Sequence, residues 1–93
     1  MRIISQDGNV DLPYEKFVFG ITKDNKIACC RECVAPPYEI YNGIIAEYSS
    51  NDKALKAMEM LREAWINGTV EFEDGIYHRN IIFQFPQDDE IEV

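Results

Sequence analysis

The chain reads as an α+β domain, a small mainly antiparallel sheet of about five or six strands with one amphipathic helix packed on one face. Three observations carry this reading. Four of the five glycines follow Asp or Asn, at Asp7-Gly8, Asn42-Gly43, Asn67-Gly68 and Asp74-Gly75, and these turn signals cut the 93 residues into short pieces. Several pieces alternate apolar and polar residues with the two-residue period of a half-buried strand. One stretch, after Ser49, repeats its apolar residues at three- and four-residue intervals instead.

Residues 2–6 make the first strand, which turns at Asp7-Gly8 into residues 10–12. Pro13 has no amide proton, so it ends regular pairing or marks an edge. Across residues 15–22, Phe17, Phe19 and Ile21 share one face and Lys16, Val18 and Gly20 the other. The polar group at residues 23–26 turns the chain. Residues 27–34 return, with Ile27, Cys29, Arg31 and Cys33 on one face, until Pro36-Pro37 stops the strand. Residues 43–48, GIIAEY, carry apolar groups on both faces and are expected as a central strand.

The helix comes next. Ser49 or Ser50 caps it, Asp52 completes a weak capping box with Ser49, and Ala54, Ala57, Met58, Leu61, Ala64 and Trp65 form its buried stripe. Its roughly 16 residues rise about 24 Å. Asn67-Gly68 supplies a left-handed stop, and Asp52 and Lys56 form a favourable i, i+4 pair. Residues 69–73, with Val70 and Phe72 inward, and residues 76–85 then flank Asp74-Gly75 as a hairpin. Pro86 ends the second arm. The domain is therefore expected to span residues 1–86, leaving residues 87–93, QDDEIEV, as an exposed acidic tail.

Nine Lys and Arg stand against 17 Asp and Glu, a formal net charge of −8. Six of those net negatives fall in residues 71–93. Proteins that grip nucleic acid cluster Lys and Arg against phosphates, and no such cluster exists here, so direct nucleic-acid binding is disfavoured. The same charge repels an anionic membrane, and no apolar run approaches the roughly 18 residues a spanning helix needs. The first residues lack the apolar stretch of a secretory signal, which gives a cytoplasmic expectation.

Cys30 and Cys33 form C-x-x-C, and with Cys29 and His78 they would total four ligands of the zinc type. A strand points residues 30 and 33 to opposite faces, and no glycine lies between them to ease a bend, so no metal is expected. A redox C-x-x-C needs a helix N-terminus to lower the thiol pKa, whereas Pro36-Pro37 follows here. The thiols then read as small hydrophobes of a reducing compartment. His78 reads as a solvated strand residue. Ser5, Ser49 and Ser50 lack the G-x-S-x-G context, and Glu71, Glu73 and Asp74 lack calcium-loop spacing. Phosphate-cradling glycine motifs are missing. Residues 35–41, APPYEIY, read as a loop. No catalytic, cofactor-binding or metal residue is assigned, and no cofactor is expected.

The opening MRIISQDG, the passage AEYSSNDKALKAMEMLREAW and the ending FQFPQDDEIEV resemble a group of small uncharacterised proteins of Gram-positive bacteria, often phage- or prophage-associated. That resemblance implies a provenance and a shared core, with no activity to carry over. Residues 15–45, which hold all three cysteines, lie outside it.

One helix covers one face of a sheet, so Val18, Ile45 and Ile82 are expected on the other face, to meet water, a second layer or another subunit. The expectation is a non-enzymatic protein-binding or accessory module with an unknown protein partner and a possible homodimer. Its alternatives are an acidic imitation of nucleic acid that inhibits a DNA-binding protein and, least favoured, a small metal-dependent enzyme.

Overall fold

Short-range turn chemistry builds the first sheet and the one beside it. Ser5 Oγ donates to Asp7 Oδ1 (2.5 Å) and accepts the Val10 N–H (3.0 Å), while Gly8 takes φ +80°, where a Cβ would be strained. This reverses β1 (Arg2–Ile4) into β2 (Asp11–Pro13), paired antiparallel. A 3₁₀ turn, Tyr14–Lys16, leads into β3 (Phe17–Ile21). Asn25, at φ +65°, turns β3 back into β4 (Lys26–Arg31). The computed structural model describes residues 1–31, 42–78 and 81–93. Beyond β4 come β5 (Asn42–Glu47), helix α1 (Asn51–Asn67), β6 (Thr69–Phe72), β7 (Gly75–His78), β8 (Ile82–Gln84) and a 3₁₀ turn at Asp88–Glu90.

The α+β class holds: one helix and several strands in small, mostly antiparallel sheets. Among the described residues the strands divide into three sheets, ordered β2-β1-β8, β3-β4-β5 and β6-β7, and the β1–β8 pair is parallel. The two three-stranded sheets and the helix share one core. Ala54, Ala57 and Leu61 of α1 bury with Ile27 and Cys29 of β4, Ile45 of β5, Ile3 of β1 and Phe85 after β8. Phe17, Phe19 and Ile21 pack against it, as their alternation predicts, and Tyr14 lays its ring 4.8 Å from that of Trp65. Ser50 caps α1, its Oγ accepting the Lys53 N–H at 3.2 Å.

Several local expectations change. Gly68 ends α1 in right-handed geometry (φ −83°), its N–H bonding the Ala64 carbonyl, so no left-handed stop is used. Lys56 stands 3.9 Å from Glu59 rather than closing the expected pair with Asp52. Strand β5 lies at a sheet edge and not at the centre. A register shift against Ile27 and Ala28 turns Ile45 inward, 3% exposed, and leaves Ile44 outward at 47%. The second arm of the C-terminal hairpin divides, since β7 stays with β6 while β8 joins β1. Phe72 is 57% exposed, because among the described residues the β6–β7 ribbon stands apart from the core and adds no residue to it.

The acidic tail is also corrected. Ile91 is only 5% exposed and belongs to the core. Asp88 Oδ1 accepts the Ser49 N–H at 2.7 Å, and Lys53 Nζ reaches the Asp88 backbone carbonyl (2.9 Å) and Oδ2 (3.3 Å). One apolar anchor, with Asp88 as a charged fastener before it, docks a segment whose composition alone reads as solvated.

Candidate functional site

Strand alternation decides what the face of β3–β4–β5 away from the core presents. Val18 and Gly20 on β3 lie opposite Cys30 and Ala28 on β4, and Ala28 lies opposite Ile44 on β5. Gly20 and Ala28 are too small to fill the middle of this face. Val18, 59% exposed, and Ile44 stand up on either side, leaving an open apolar hollow of about 520 Å³. A Cβ on Gly20 would meet nothing within 4 Å.

Arg31 lies opposite Phe17 and so alternates with Ile27 and Cys29 to the other side of the sheet from the hollow. Lys26 Nζ, beside the β3–β4 turn, lies 3.4 Å from Asp24 Oδ2 and 3.5 Å from Glu47 Oε1. Asp24, chiefly, raises the Lys26 pKa, so that cation is already matched. No Lys or Arg is among the residues that line the hollow, which is apolar throughout.

A junction of hydrogen bonds holds the sheet from the other side. Gln6 donates its backbone N–H to the Ile45 carbonyl (2.8 Å), accepts the Glu47 N–H at Oε1 (2.9 Å) and returns Nε2 to the Glu47 carbonyl (3.0 Å). Its carboxamide behaves as one more peptide unit and covers the free edge of β5. Pro86 O accepts from Gln6 Nε2 (3.1 Å) and from the Tyr48 hydroxyl (2.8 Å). Burial raises the Tyr48 pKa, reinforced by the charges of Asp88 and Glu90. Reading the sequence in order misses this junction, since Gln6 belongs to no motif. The spacing of Gln87 and Glu90 is that of a capping box, and Glu90 Oε1 accepts the Gln87 N–H at 2.8 Å, a signal for order that the tail's acidity hides.

Neighbouring thiols are separated by the same alternation. Cys29 is buried in the core, its pKa raised by that burial against a partly opposing hydrogen bond from Gly43. Cys30 lines the hollow on the opposite face and sets its Sγ 3.4 Å from the Arg31 carbonyl. These two cannot face one ion. Cys33, the loop of residues 35–41 and the His78 side chain lie outside the described residues. Among the described residues no group of three or more His, Cys, Asp and Glu could hold a metal. The serines have structural work: Ser5 closes the first turn, Ser49 gives its N–H to Asp88, and Ser50 caps α1. Glu71, Glu73 and Asp74 are exposed on the β6–β7 arm, where Asp74 Oδ2 accepts the Tyr77 hydroxyl at 3.1 Å.

Val18 and Ile82 therefore face water as expected, Ile45 does not, and Ile44 takes its place. No helix among the described residues is long and apolar enough to cross a membrane. Comparison with known proteins finds no family model that matches the chain, no matching curated protein and no matching solved structure.

Proposed function

We propose that this chain is a non-enzymatic protein-binding or accessory module of the cytoplasm that acts through the open face of β3–β4–β5. The observation that supports this is the apolar hollow itself: Val18 and Ile44 stand in water around Gly20 and Ala28, on the face the shared core leaves uncovered. Folding alone is served as well by polar side chains at those positions. A provenance in phage or prophage DNA, implied by the three resembling stretches, belongs to the same proposal and is checked by the neighbouring genes.

An acidic imitation of nucleic acid gains less support, because its carboxylates would need to be free and regularly spaced. Asp88 is fastened to Ser49 and Lys53, Asp11 accepts from Arg2 Nε at 2.8 Å, and Asp24 faces Lys26.

The test places the immobilised chain beside a Val18→Glu, Ile44→Glu variant and exposes both to bacterial lysate and to free copies of the chain. Retention by the native chain, lost on the variant at unchanged circular dichroism, is the expected result. A native chain that retains nothing and stays strictly monomeric overturns the proposal.

A further inference from the structure

The β3–β4–β5 sheet has one edge that its own fold leaves open. The Thr22 N–H bonds the Lys26 carbonyl at 2.9 Å, and in an antiparallel ladder the bonded pairs alternate with unbonded ones. Val18 and Gly20 therefore turn their backbone groups to β4, and Phe19 and Ile21 turn theirs to the outer edge. Among the described residues nothing bonds the N–H or the carbonyl of either, and no strand or helix runs alongside. The other side of the sheet is closed, since Gln6 covers β5. In the first sheet, β2 carries Asp11 and Pro13 and β8 is three residues long, features that discourage pairing. Strand β3, FVFGI, has neither charge nor proline, and among the described residues it is the longest edge strand left uncovered.

We infer that β3 pairs antiparallel with β3 of a second copy of this chain about a twofold axis at Phe19, which joins two three-stranded sheets into a continuous one. Unbonded amides and carbonyls along an uncharged edge call for another extended backbone, not for an ion, a lipid or a helix. Strand β3 meets that need itself. With the axis at Phe19, the Phe19 N–H of each copy donates to the Phe19 carbonyl of the other, and the Ile21 N–H reaches the Phe17 carbonyl, an oxygen with two lone pairs. Side chains fit the same register. On the outer face Val18, 59% exposed, falls opposite Gly20, so a bulky residue meets the smallest one. On the inner face the two Phe19 rings meet and extend the stack that Tyr14 begins at 5.9 Å. An axis at Val18 or Gly20 would overlap less of the strand. No like charges come together, because β3 carries none. The pairing concerns the edge of the sheet and goes beyond the preceding reading of its face.

Self-association and amide exchange on the full chain test this. Light scattering over a concentration series should show the native chain forming dimers. Exchange of the Phe19 amide should slow by more than about tenfold from the dilute to the dimeric sample, while the Val18 and Gly20 amides, bonded to β4 in every copy, stay protected in both. A second sample is the full chain made by chemical synthesis with an N-methyl group on Phe19, joined at Ala28–Cys29. It loses the edge donor and keeps every side chain and every bond to β4. At native circular dichroism it should dimerise more than about tenfold more weakly, because a bond is lost in each direction. Should that chain misfold, amide exchange on the native chain decides alone. A monomeric native chain, a dimer whose Phe19 amide exchanges as fast as in the monomer, or an N-methyl chain that folds and dimerises like the native one each overturns the inference. Capture of another protein through Val18 and Ile44 by a chain whose Phe19 amide stays unprotected would remove the edge pairing and leave the protein-binding reading standing.

Discussion

Replacing Gln6 with Ala tests whether a single side chain joins the two larger sheets and the C-terminal segment. The substitution removes three side-chain hydrogen bonds, from Nε2 to the Glu47 and Pro86 carbonyls (3.0 and 3.1 Å) and from the Glu47 N–H to Oε1 (2.9 Å). Each bond of this kind contributes about 1 kcal/mol net. The Glu47 groups lie near solvent and regain water, and Pro86 O keeps the Tyr48 hydroxyl, so the loss falls to about 1–2 kcal/mol. For a domain of this size that lowers Tm by roughly 5–15 °C. Thermal unfolding followed by circular dichroism gives the shift, and amide exchange locates it. The Glu47 amide should lose protection before the centre of β4 does. A Gln6→Glu variant separates hydrogen bonding from packing, since a carboxylate still accepts from Glu47 but cannot donate to either carbonyl. It should be at least as destabilised as Gln6→Ala. A Tm change under about 2 °C for both variants would refute the role given to Gln6.

Two further outcomes follow from the docked C-terminus. Ile91→Ala should cost about 2 kcal/mol, the low end for deleting a buried branched side chain because the chain end can relax, and the urea midpoint reads it. An unchanged midpoint would mean the segment is not anchored. The Asp88 carboxyl is held below its ordinary value of 3.8, first by the Ser49 N–H and then by Lys53. Its contribution is therefore present above about pH 4 and is lost as pH falls through the lowered folded value. Asp88→Asn should be less stable at pH 7 and lose less on acidification, shown by urea unfolding at pH 7 and pH 3. Part of the acid loss should persist in that variant, because Asp7 and Asp24 are held low by the hydroxyls of Ser5 and Thr22. An acid profile identical to that of the native chain would show that Asp88 is not fastened.

The candidate site was partly visible beforehand. Alternation along residues 17–21 puts Val18 and Gly20 on the outer face, and the same rule separates Cys29 from Cys30. Ile44 could not be chosen over Ile45, because the register shift at Ile27 and Ala28 arises from pairing with β4 and leaves no mark within GIIAEY. The exposed arm was hidden for a similar reason. Val70 and Phe72 alternate as inward residues do, and only the ribbon's separation from the core among the described residues turns Phe72 to water.

The sequence by itself determined what neighbours within a few residues decide: the Ser50 cap, the stripe from Ala54 to Trp65, the turns at Asp7-Gly8 and Asp74-Gly75, and hence the α+β class. Hydrogen bonds and side-chain periods over such short spans depend on local residue types. Tertiary structure alone decided that β8 lies parallel to β1, that Gln6 covers the edge of β5, and that residues 87–93 dock. Those choices join groups up to 81 residues apart, as when Gln87 Nε2 reaches the Gln6 carbonyl, and no local pattern encodes which distant carbonyl or apolar hollow will be left open to receive them.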